Sequence, residues 1–165
     1  MTMFVARIRA FSRPALTKRF SSTMQPRFSP GTNESATTEA LTPLLASSTG
    51  SGGKWALAAD GEALERSFTF KNFAKTWDFM TAVSLQCKLA NHHPEWINVY
   101  NTTFIRWTTH NPRGLSEKDV RLASLCDSIA RDFGELDAEP LSGEVRVRAD
   151  AVISKSGDCC KPKQT

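Results

Sequence analysis

All three histidines of this sequence fall in one window. His92 and His93 are adjacent in Asn91-His92-His93-Pro94-Glu95-Trp96, and His110 closes Thr108-Thr109-His110. An unperturbed imidazole, with a pKa of about 6.5, both donates and accepts protons near neutral pH. No serine or cysteine pattern nearby marks a covalent nucleophile, so the set suits proton transfer, one imidazolium acting as acid and one neutral imidazole as base. A helix end ahead of Pro94 would favour the protonated form of His92 or His93. Two other readings stay open. Three histidines suffice for a catalytic zinc, although side chains of adjacent residues diverge, and histidines also cluster at helix ends with no role beyond packing.

The elements that must bring these residues together are legible from periodicity. Residues 72–90 form the main helix, with Phe73, Trp77, Met80, Val83, Cys87 and Ala90 as its apolar stripe and its aromatic members read as core. It ends near His92 and His93, because a proline disfavours helical geometry in the residue before it. Residues 96–100 and 103–109 alternate as two strands turning at Asn101-Thr102, which leaves His110 just past the second. Ahead of the helix, residues 54–58 and 62–70 read as strands joined at Asp60-Gly61, a hairpin turn signal. There Leu64, Phe68 and Phe70 share a face, with Arg66 as a polar exception. A last helix opens at Ser116, its N-cap, with Asp119 three positions on completing a capping-box pair and Leu115 and Val120 placed as a hydrophobic staple. Leu122, Cys126, Ile129 and Phe133 continue its apolar face. The order β-β-α-β-β-α predicts an α+β two-layer sandwich: a four-stranded antiparallel sheet with helices on one face. A short helix within residues 39–46 precedes it.

The 165 residues allow one domain with tails. The net charge of +4 is unevenly spread: residues 1–33 hold six basic and no acidic side chains, leaving 15 basic against 17 acidic residues, a net of −2, for the rest. The body therefore lacks the basic surface that nucleic acid requires. No apolar run approaches the roughly 18 residues of a membrane span. Cys87 and Cys126 sit singly in helices and Cys159-Cys160 in a polar tail, so no disulfide framework appears and a reducing compartment fits. Residues 1–33, rich in Arg, Ser and Thr and free of carboxylates, read as a mitochondrial targeting presequence, with a plastid address or an unaddressed basic tail of a cytoplasmic protein as the alternatives. Residues 34–53 form a spacer, 54–137 the domain and 138–165 a polar C-terminal tail in which residues 144–153 resemble a weak strand.

The run Lys88-x-x-x-His92-His93-Pro94, five residues to Tyr100, nine more to His110 and eight more to Asp119 resembles the signature of the pterin-4a-carbinolamine dehydratases. So do Phe79-Met80-Thr81, Asn98-Val99-Tyr100-Asn101 and Gly114-Leu115-Ser116-Glu117-Lys118-Asp119, and the likeness spans about residues 41–133. Asn91 and Lys88 stand where many or some relatives carry acidic residues. The resemblance implies dehydration of a 4a-hydroxytetrahydropterin to the quinonoid dihydropterin, with no metal and no cofactor. It implies His92, His93 and His110 as the catalytic set, with His92 and His110 the acid/base pair. The same three histidines, with Pro94, Trp96, Thr109 and Asp119, would bind the pterin. Trp96 either stacks on the flat bicycle or packs in the core. A homodimer or homotetramer is implied as well, and some animal relatives also bind a transcription factor, so an interaction module is the alternative function. The presequence reading is tested by imaging a fluorescent fusion of residues 1–40: an organelle pattern is expected, and a diffuse cytosolic signal refutes it.

Overall fold

A computed structural model of the chain describes residues 24–46, 52–137 and 151. Residues 1–23, Cys159-Cys160 and, Ala151 apart, the weak strand expected at 144–153 lie outside the described residues. The elements run α1 (Glu34–Leu41), a 3₁₀ turn (Thr42–Leu44), β1 (Ala56–Leu57), β2 (Leu64–Thr69), α2 (Phe73–Ala90), β3 (Glu95–Val99), β4 (Thr102–Trp107), β5 (Thr109–His110), β6 (Arg113–Gly114) and α3 (Glu117–Asp132). The main sheet has the order β1-β2-β4-β3 with every neighbour antiparallel, so the expected α+β two-layer architecture is the one observed.

The register sorts the sheet's two faces. Leu64 lies opposite Trp107, Arg66 opposite Ile105, and Trp96 opposite Ile105 from the other side. Leu64, Phe68, Ile105 and Trp107 are fully buried and share a core with Phe79, Val83, Leu122 and Cys126 of α2 and α3. The Phe79 ring sits 4.9 Å from that of Phe68 and 5.0 Å from that of Phe70. Burial pushes the Cys126 and Cys87 thiols up, so both behave as small apolar side chains.

Arg66 is accommodated on this apolar face by local neutralisation. Its guanidinium lies 4.2 Å over the Phe68 ring, pairs with Asp127 of α3, and reaches Glu135 at 2.5 Å. Asp127 also accepts from the Trp55 indole N–H at 2.8 Å. Burial pushes the Asp127 carboxyl up, and Arg66 pulls against that shift.

Four expectations are corrected. In α2 the aromatic stripe is displaced: Phe73 and Trp77 are 48% and 54% exposed and stack on one another at 5.5 Å, while Thr76 and Phe79 go inward. Met80 and Val83 are buried and Cys87 and Ala90 pack against the core as expected, so only the aromatic start of the stripe departs, where hydrophobicity favours the aromatic residues over Thr76. The helical turn near residue 40 begins earlier, with Asn33 as N-cap accepting from the Ala36 N–H. The second hairpin turns through Tyr100, at φ +53, and Asn101, with Thr102 already in β4.

The fourth concerns the border drawn at residue 33. Residues 27–29 lie against the domain. The Ser29 N–H donates to the Leu115 carbonyl and the Leu115 N–H to that of Arg27. Gly114, at φ +138, permits the approach, since a Cβ there would meet the Ser29 nitrogen at 2.5 Å.

Candidate active site

The site begins where α2 stops. Asn91 adopts the left-handed conformation at φ +47, its N–H bonding the Lys88 carbonyl and the next N–H, of His92, bonding that of Cys87. This is a Schellman ending, for which asparagine is among the few residues tolerated at the left-handed position. It stops the helix before Pro94 acts and turns His92 inward. Pro94 is buried and leads into β3.

The His92 side chain is 12% exposed, and its Nε2 lies 2.6 Å from Oδ1 of the fully buried Asp119. Its ring stacks on Trp107, with centroids 5.8 Å apart and planes 15° from parallel. The second oxygen of Asp119 accepts from the Ser116 N–H at 2.8 Å and lies 2.8 Å from both the Ser116 and Thr109 hydroxyls. The capping box predicted for α3 is therefore formed, and the same carboxylate also serves a site histidine.

His110 is not past the end of a strand. β4 closes at Trp107, Thr108 turns inward to donate its hydroxyl to the Glu62 carbonyl at 2.9 Å, and Thr109-His110 forms β5, paired with β6. The stretch Asn111-Pro112-Arg113-Gly114 has the polar, Pro- and Gly-containing composition of a loop. In the fold its last two residues supply that pairing. His110 stacks on His93 at 5.8 Å with planes 26° apart, and its Nε2 lies 3.6 Å from Oε1 of Glu95.

The two dipeptides thus divide alike. His92 and Thr109 converge on Asp119, whereas His93 and His110 face each other on the more open side. Trp96 is on the helix-facing side of β3 and packs against the core. Tyr100 is 66% exposed in the hairpin turn. Trp107 and Glu95 were missed as neighbours of the imidazoles. Strand alternation gives each its face, but not which histidine would meet it.

Such a cluster offers one histidine backed by a buried carboxylate and a stacked pair open to solvent. It is suited to moving protons to and from a bound molecule. Among the described residues, no group of three or more His, Cys, Asp or Glu side chains converges as a metal cage would require.

Fold and site together define an α+β protein in which three histidines gather beside a buried carboxylate. Residues 33–129 match the model of the family described as pterin 4 alpha carbinolamine dehydratase. The chain belongs to that family. It is 45% identical over 76 residues to a Sinorhizobium fredii protein provisionally named a pterin-4-alpha-carbinolamine dehydratase, a match covering 46% of this chain and 72% of that one. A Mesorhizobium japonicum protein with the same provisional name is 40% identical over 92 residues, covering 56% and 90%. A solved structure described as a transcriptional coactivator/pterin dehydratase from Brucella melitensis is 36% identical, with a TM-score of 0.46, covering 47% of this chain and 82% of that one.

Replacing Asp119 by Ala removes the common acceptor of His92, Thr109 and Ser116 and leaves buried donors without a partner. A loss of about 2–4 kcal/mol of stability is expected in urea unfolding, with Asp119→Asn, which keeps the shape, losing less.

Proposed function

We propose that the protein dehydrates a 4a-hydroxytetrahydropterin to the quinonoid dihydropterin and water by histidine acid/base catalysis, as part of tetrahydropterin recycling. The C4a hydroxyl leaves only once protonated, and a ring N–H proton must depart. One imidazolium and one neutral imidazole supply both steps without change of oxidation state. The observation that carries the proposal is the pairing of His93 with His110 beside a His92 fixed on Asp119. His92 and His110 are the acid/base pair in this reading. His93 assists at the mouth, Pro94 and Thr109 shape the pocket wall, Asp119 acts through His92, and Trp96 backs the site from the core. Family membership supports the substrate class.

The test is turnover of 4a-hydroxytetrahydropterin by the purified full-length chain. His92→Ala and His110→Ala are each expected to lower kcat by about 10²–10⁴-fold, and prior chelation is expected to leave the rate unchanged. Undiminished turnover in both variants removes the residue assignment. An inactive wild type removes the reaction and favours the interaction-module alternative.

A homodimer or homotetramer is part of the same proposal. β3 is an edge of the four-stranded sheet, and α2 exposes Phe73, Trp77, Leu85 and Leu89. Light scattering behind size exclusion is expected to give a mass above the 18.2 kDa of one chain, and a monomer at micromolar concentration refutes it. An organellar address rests on the composition of the N-terminal basic segment alone; the bacterial relatives lend it no support, and the family match begins at residue 33.

A further inference from the structure

On the sheet face turned away from α2 and α3, a charged row crosses three strands. Glu65 of β2 and Glu95 of β3 lie on either side of Arg106 of β4 in the register. The Arg106 guanidinium is held firmly on one side, with Nε 2.7 Å and Nη2 2.5 Å from Glu65 Oε1. On the other side its Nη1 is 3.5 Å from Glu95 Oε2. The Glu95 side chain is only 15% exposed, and its other oxygen, Oε1, is the one 3.6 Å from His110 Nε2. The charge of Arg106 is already met by Glu65, so the structure does not need Glu95 for that purpose. Keeping a second carboxylate half-buried carries a desolvation cost, and the group it adds to the row is an imidazole.

We propose that Glu95 is the positioning residue of His110: its carboxylate, held at ion-pair distance by an Arg106 that Glu65 fixes in place, orients the ring against His93 and stabilises the imidazolium when His110 takes a proton. This rests on the reading of His110 as an acid/base group. At 3.6 Å the pair stands at ion-pair distance, and it shortens to a hydrogen bond when the ring is charged. The site then holds two carboxylate–imidazole pairs of different character. Asp119–His92 is closed and buried behind Trp107. Glu95–His110 is half open, with His93 stacked alongside. Among the described residues the groups facing His110 are Glu95, with Arg106 behind it, and His93, while the Arg113 guanidinium is held by Asp60 and Glu62.

The experiment is a double-mutant cycle on the full-length chain with 4a-hydroxytetrahydropterin, using Glu95→Gln, His110→Ala and the two combined. Glu95→Gln is expected to lower kcat about 10–100-fold with KM within about twofold, and to have no further effect in the His110→Ala background. Glu95→Asp, which keeps the charge, is expected to recover part of the loss. Should Glu95→Gln melt below the assay temperature, Glu95→Asp carries the same cycle and the same non-additivity is required of it. Wild-type turnover with an unchanged Glu95→Gln variant overturns the role of Glu95 alone, as does a loss that multiplies with that of His110→Ala. Absent turnover in the wild type overturns the dehydratase reading and this inference together.

Discussion

One buried carboxylate sets the geometry on which the rest depends. Asp119 is fully excluded from solvent, and its two oxygens are shared among the start of α3, the β4–β5 break and the end of α2, through Ser116, Thr109 and His92. A buried carboxylate is tolerated only when its lone pairs are met by donors. Three separate chain segments are therefore obliged to converge at one point. The helix cap and the His92 pair use the two oxygens of one carboxylate, so the start of the last helix and the placement of the His92 ring are tied together.

From that point the second half of the site follows by strand geometry. His93 and His110 each neighbour a residue bound to Asp119, and successive side chains in extended backbone point to opposite sides. Holding His92 and Thr109 inward turns His93 and His110 outward together. The stacked pair is thus a consequence of the buried one.

Much of this was legible in the sequence. The strand-helix order, the Asp60-Gly61 hairpin, the Ser116 cap with Asp119 and the inward set Leu64, Phe68, Ile105 and Trp107 all follow from local rules that the tertiary structure respects. What was not legible depends on distant partners. Arg66 is an exception to its strand's pattern only until Asp127 and Glu135 arrive from α3 and beyond. Trp77 reads as core on hydrophobicity, yet the track of α2 that meets the sheet runs through Thr76 and Phe79. β5 and β6 are two residues each, too short for any periodicity to register. The left-handed ending at Asn91 gives the asparagine before the histidine pair a backbone role of its own.

The neutralisation of Arg66 also carries the domain past the end of its last helix. Its two acidic partners are Asp127, within α3, and Glu135, past the helix end, where the Leu136 N–H also bonds the Thr69 carbonyl of β2. A guanidinium enclosed among Phe68 and its neighbours loses one of its two acidic partners if the polypeptide is cut after α3, and a buried charge tolerates such a loss poorly. The few residues following the last helix are therefore a structural clasp, and any trimmed version of this domain must keep them.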